Sequence, residues 1–182
     1  MINLGFAYTD PDDETAGDGG ALEPGGYVVR IDDVLDVPQS RYLSLTWDVA
    51  EGPEAGHYAD DWGRSHPWAH TQRAYYTDRA RGIFQRLLSC FQKSNPGRFD
   101  VAAWQDAGSD ESALVGLVVG ALVQKRYYTN AAGEDREALE IARWMPAADI
   151  RGGNFKLPGP RDQRTPQYGR TSFRTEDVDL PF

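Results

Sequence analysis

The run Leu114 to Val123, LVGLVVGALV, is the longest apolar stretch in the chain and constrains the fold more than any other feature. Its ten residues are too few to cross a bilayer. Rich in branched side chains, it reads as a strand buried on both faces, with Gly116 and Gly120 allowing a bend or a close backbone approach. The run continues into QKRYYTN, turns at AAGED and returns as REALEIARW, which makes a long hairpin. One arm carries Lys125, Arg126, Tyr127 and Tyr128, and the other Arg136, Arg143 and Trp144.

A second β region opens at Tyr27. YVVRIDDVL is followed by the PQS turn at 38–40, and RYLSLTWDVAEG then alternates. Leu43, Leu45, Trp47 and Val49 belong to one face, and Tyr42, Ser44, Thr46 and Asp48 to a wet one. Residues 71–94 carry the only long helical pattern, with Tyr76, Ala80, Ile83, Phe84, Leu87, Leu88 and Phe91 as its apolar stripe. Cys90 lies near that stripe as a small core residue, while Arg79, Arg86 and Lys93 repeat on a solvated face. Asn95, Pro96 and Gly97 end the helix.

Both flanks lack core-forming residues. Residues 1–26 are rich in acid, Gly and Pro and form a flexible arm, whereas residues 152–182 form a disordered tail rich in Gly, Pro, Arg and Thr. Residues 27–151 are then one domain. The start, MINLGFAYTDPDDE, has no basic segment before an apolar one, so a cytoplasmic protein without a membrane partner is expected.

No phosphate loop, nucleophile elbow or dinucleotide fingerprint occurs, so neither an enzyme nor a cofactor is expected. The lone Cys90 rules out intrachain disulfides and multi-cysteine zinc sites. His57, His66 and His70 fall near Asp60 and Asp61, but no metal-ligand spacing fits them, and polar loop residues are the simpler reading. Net charge is -9, of which residues 1–26 hold -6 and residues 151–182 hold +2. Sixteen of the 19 basic residues are Arg, a side chain that pairs with phosphate bidentately and stacks on bases, so a local groove can work within an acidic whole.

The aromatic residues indicate what such a groove would hold. Trp62 and Trp68 stand in a polar segment with Arg64 and His66, Tyr42 stands beside Arg41 on the wet face, and Lys125, Arg126, Tyr127 and Tyr128 interleave bases with aromatics. Flat side chains stack on unpaired bases while guanidinium groups hold the phosphates, which is the chemistry of single-stranded DNA binding. Tyr127 and Tyr128 are equally suited to filling cross-strand sites. Trp47 and Trp104 are read as core.

The last eight residues, Thr175, Glu176, Asp177, Val178, Asp179, Leu180, Pro181 and Phe182, place acids before a terminal Leu-Pro-Phe. This resembles the acidic C-terminal tip of bacterial and phage single-stranded DNA-binding proteins, which recruits replication and recombination enzymes. Asp177, Asp179, Leu180, Pro181 and Phe182 are the matching positions. The order GGALEPGGYVVRIDDV, RYLSLTWDVAEG, a helix, LVGLVVGALVQKRYYTNAAGE and REALEIARWMPAADIRGGNFKLP resembles phage-type proteins of this class over residues 19–158. The tip departs in having only three acids, interrupted by Val178, and the linker is unusually rich in Arg. The resemblance implies a mainly β, OB-like five-stranded barrel with one long helix. It also implies single-stranded DNA and tip-bound replication enzymes as partners, and is compatible with a homo-oligomer. The rival reading is a β-barrel adaptor that binds protein and no DNA.

Overall fold

A computed structural model describes residues 22–164. The chain is mainly β. Strands β1 (Gly25–Val37), β2 (Tyr42–Val49), β3 (Thr71–Tyr75), β4 (Val118–Thr129) and β5 (Asp135–Met145) pair antiparallel in the order β3-β2-β1-β4-β5. β1 is long enough to serve two neighbours. Residues 29–37 pair with β2 and residues 25–30 with β4, and the register shift between Ile31 and Asp33 lets the strand bend from one partner to the other. The ladder is open at β3 and β5, yet these edges meet where the Ile141 N–H donates to Gln72 Oε1 at 3.3 Å. The topology is OB-like, as expected, with six strands rather than five and without closure.

The sixth strand, β6 (Arg161–Gln163), runs parallel to β4 and pairs with Arg126, Tyr127 and Tyr128 just past the end of β1. The structured chain therefore extends beyond the expected boundary at 151. Phe155 packs on Gly26, where a Cβ would fall 2.4 Å from its ring. At the other end Leu22, assigned to the arm by sequence, is 2% exposed and belongs to the core. The tip residues Asp177, Asp179, Leu180, Pro181 and Phe182 lie outside the described residues.

Residues 118–124 are buried almost throughout, so Val118 to Val123 of the apolar run are strand covered on both faces, whereas Leu114 closes the 3-10 turn Glu111–Leu114 and residues 115–117 lead into β4. Val119, Ala121 and Val123 face the main core with Val29, Ile31, Leu43, Leu45, Trp47 and Val49. On the opposite face, helix α4 (Ala147–Arg151) lays Ile150 on Gly120, where a Cβ would lie 2.6 Å from Ile150 Cγ1. That approach is what the glycine allows. Gly116 is also needed for its conformation, with φ +81°.

Three further helices complete the described chain: α1 (Asp61–Ser65), α2 (Arg81–Ser94) and α3 (Val101–Asp106). Among the described residues α2 is the one long helix, but it starts ten residues later than the periodicity predicts. Residues 71–75 pair with β2 instead, and Thr77 then caps a short 3-10 turn by accepting from the Ala80 N–H. Leu87, Leu88, Cys90 and Phe91 are buried as expected. Ile83 is not core: it lies in the first turn, on the flank of that stripe, and is 70% exposed. Among the described residues no helix is long and apolar enough to cross a membrane.

Candidate nucleic-acid interface

Alternation along β2 turns Leu43, Leu45, Trp47 and Val49 into the core and leaves Tyr42, Ser44, Thr46 and Asp48 as the outer row. Antiparallel register sets β3 residues opposite them: Tyr75 against Tyr42, Arg73 against Ser44 and Thr71 against Thr46. The Tyr42 and Tyr75 rings lie 5.2 Å apart, tilted by 57°. The Arg73 guanidinium sits 5.1 Å over the Tyr42 ring. A side-chain hydrogen bond with Tyr75 is the first cause that raises Arg73 above its already high value, so it stays cationic. Arg73 has no ion pair among the described residues, and Tyr75 is 41% exposed. Arg41 closes the β1–β2 turn in the left-handed region, φ +53°, and lies 3.8 Å from Asp78. Leu35, on the neighbouring row of β1, is exposed.

The other end of this face meets α1 and the 3-10 turn Pro67–His70. Asp60 caps α1 by accepting from the Gly63 N–H at 2.7 Å. Gly63 is required there, because a Cβ would lie 2.1 Å from the Tyr58 carbonyl oxygen. Trp62 stacks on His66 at 4.7 Å, and Trp68, 52% exposed, meets both rings edge-on. Arg64 is exposed but engaged, donating to Asp61 Oδ1 at 2.6 Å. Between α1 and the sheet lies an open cleft of about 340 Å³, lined by Arg30, Thr46, Asp48, Tyr58, Arg64 and His70 among others. Burial first, and the Asp48 charge second, push the Tyr58 hydroxyl far above its ordinary range.

Asp48 corrects the sequence reading. Period-two alternation puts it on a wet face, yet it is 2% exposed because Tyr58 and His70 fold over the end of β2. The three histidines do not converge on a metal. His57 meets Glu54 at 3.2 Å, His66 Nδ1 lies 2.8 Å from the Trp62 carbonyl oxygen, and His70 is wedged between the carbonyls of Trp47 and Gly63. Among the described residues no group of three or more potential ligands is assembled.

The hairpin residues form a separate patch, divided from β2 by β1 in the sheet. Arg126 lies over Tyr128 at 4.8 Å, and Arg164 over Tyr127 at 5.5 Å. Five cations around Tyr127 and Tyr128 face carboxylates: Lys125 with Glu137, Arg126 and Arg161 with Glu140, Arg136 with Glu134, Arg164 with Asp162. A phosphate would have to displace an acid from each. Of the residues singled out by sequence, Arg41 and Tyr42 lie at one end of the β2–β3 face and Trp62, Arg64 and Trp68 at the other. Lys125, Arg126, Tyr127 and Tyr128 stand apart. Arg73 and Tyr75 escaped notice because they were read as helix, although AHTQRAYY alternates with a cation and an aromatic on its polar face. No family profile matches this sequence, and no match to it was found among curated proteins.

Proposed function

We propose that this protein binds single-stranded DNA without strict sequence requirement, over the outer face of β2 and β3. It acts without catalysis, protecting the strand during replication or recombination of a phage or mobile element, and its C-terminal tip recruits partner enzymes. The observation that carries this reading is the Tyr42–Arg73–Tyr75 group: two aromatics for stacking and an uncompensated guanidinium for phosphate, on one exposed face. Five-stranded barrels of this topology bind oligonucleotides over the face of their second and third strands.

Titration with oligo(dT) at two salt concentrations, read by tryptophan fluorescence, tests it. Affinity should fall steeply with salt as phosphates release counterions. Tyr75→Ala should cost about 1–3 kcal/mol for a lost stacked base. Unchanged affinity in both Tyr75→Ala and Tyr42→Ala would remove this face from the site. The neutralised hairpin favours a second reading, a protein-binding adaptor; a complete absence of oligo(dT) binding would select it.

A further inference from the structure

The outer row of β2 ends in a buried carboxylate with half of its bonding capacity unused. Asp48 Oδ1 accepts from the Val49 N–H at 2.7 Å and the Tyr58 N–H at 2.9 Å. Its Oδ2 makes no hydrogen bond, and Asp48 no ion pair, among the described residues. Although Asp48 as a whole is 2% exposed, Oδ2 is not one of the sealed polar atoms left without a partner, so it is open to the cleft that Asp48 lines and lacks only a protein donor.

The neighbours do not meet this need. Arg30 stands directly opposite in the β1–β2 register, but its Nε donates to Asp32 at 2.7 Å. His70 directs Nδ1 and Nε2 at the carbonyl oxygens of Trp47 and Gly63. Asp48 lines the cleft of about 340 Å³, which is roomier than a single nucleobase requires. Arg30 and Arg64 also line it together with Asp32, each guanidinium already paired with an acid, Asp32 and Asp61, that a phosphate flanking the base would have to displace. The cleft continues the proposed binding face, since Tyr42, Ser44, Thr46 and Asp48 share one row of β2. From Tyr42 to Asp48 is about 20 Å at the usual strand rise.

We infer that this cleft receives one base of the bound strand and that Asp48 Oδ2 accepts a hydrogen bond from its exocyclic amino group. The site then favours cytosine or adenine over thymine, which offers a carbonyl oxygen at the same place. This selectivity rests on the DNA-binding reading above and gives an otherwise sequence-tolerant face one preferred base.

The test compares oligo(dC), oligo(dT) and an oligomer of N4,N4-dimethylcytosine at one neutral pH and one salt concentration. Wild type should bind oligo(dC) about five- to tenfold more tightly than oligo(dT), the lower range for one base contact. The dimethyl oligomer, which keeps the ring but has no amino hydrogen, should bind like oligo(dT). Asp48→Asn retains an acceptor for the two backbone N–H groups and puts an NH2 group where Oδ2 was, so the preference should vanish or invert. Equal wild-type affinities for oligo(dC) and oligo(dT), dimethylcytosine binding as tightly as cytosine, or an unchanged preference in Asp48→Asn would each overturn the assignment. If Asp48→Asn does not fold, the dimethyl comparison decides with wild-type protein alone. Equal binding of all three oligomers defeats this inference only, whereas no binding of any defeats the DNA-binding reading with it.

Discussion

Asn95 shows how much a single side chain can hold in this fold. Its backbone ends α2, while its amide acts as a short piece of strand. Nδ2 donates to the Phe91 and Val118 carbonyl oxygens at 2.8 and 2.7 Å, and the Val118 N–H donates back to Oδ1 at 3.0 Å. The helix terminus and the start of β4 are thereby fixed to one another through a residue that is 6% exposed. Asn95→Ala would strip the Val118 N–H and carbonyl of these partners where water reaches poorly, at about 1–3 kcal/mol for each group left unpaired, whereas the Phe91 carbonyl keeps the Asn95 N–H. Urea unfolding should show a midpoint well below wild type with an unchanged slope. Asn95→Asp places a carboxylate oxygen against the two carbonyl oxygens at a buried site and should be at least as destabilised as Asn95→Ala. Equal stability of wild type and Asn95→Ala would mean that the amide is replaceable by solvent. Gly63 and Gly120 act by the opposite means, through the absence of a side chain, which brings α1 onto Tyr58 and α4 onto β4.

At the scale of elements, α2 is the cover of the core on the open sheet. Leu87, 2% exposed, reaches the same core as Val119 and Leu45. Leu87→Ala should therefore destabilise by about 2–5 kcal/mol, through lost transfer energy and a cavity. The oligo(dT) affinity of the folded protein should not change, because the helix takes no part in the β2–β3 face. Stability retained with binding lost would make the helix an interface. Its start also shows where sequence pattern loses its grip. Tyr76 and Ala80 fall in phase with Phe84, Leu87 and Phe91, so the 3.6-residue rhythm runs back to Tyr76, the residue next to β3, which makes residues 71–75 read as a continuation of the helix. A five-residue strand is too short to override a 24-residue helical pattern until long-range pairing with β2 decides it. The buried strand β4 and the alternation in β2 were legible because their patterns are local. β6 was not, since all three of its side chains are exposed and it is held by backbone pairing with β4 and an exposed Arg161–Glu140 ion pair, neither of which leaves an apolar pattern in the sequence. In the site, Arg41 and Tyr42 could be read from strand alternation. Arg73 and Tyr75 were hidden by the false helical phase, and Asp48 by the distant residues that cover it.

Across the whole molecule, charge is partitioned between body and ends. Residues outside 22–164 hold eight of the 28 acids and two of the 19 bases, so the described body stands at -3 while the chain stands at -9. A body near neutrality with an uncompensated Arg73 can attract phosphate locally, and acidic termini in the same chain compete for that attraction. Removing Glu176 to Phe182 should therefore leave oligo(dT) affinity equal or slightly higher, and the effect should shrink as salt screens it. Recruitment of replication or recombination enzymes should be lost in the same truncation. Phe182 should dominate that loss, since a buried aromatic anchor carries more of such a contact than charges at its rim. Pull-down with wild type, the truncation and Phe182→Ala, in the presence of nuclease so that DNA cannot bridge, separates the two effects. Phe182→Ala keeps all three acids, so it should lose partners without gaining DNA affinity, whereas the truncation should do both. Identical partners from all three proteins would reduce the Leu-Pro-Phe terminus to a coincidence of composition. Partner loss in the truncation alone would show that the acids, and not the aromatic, make the contact.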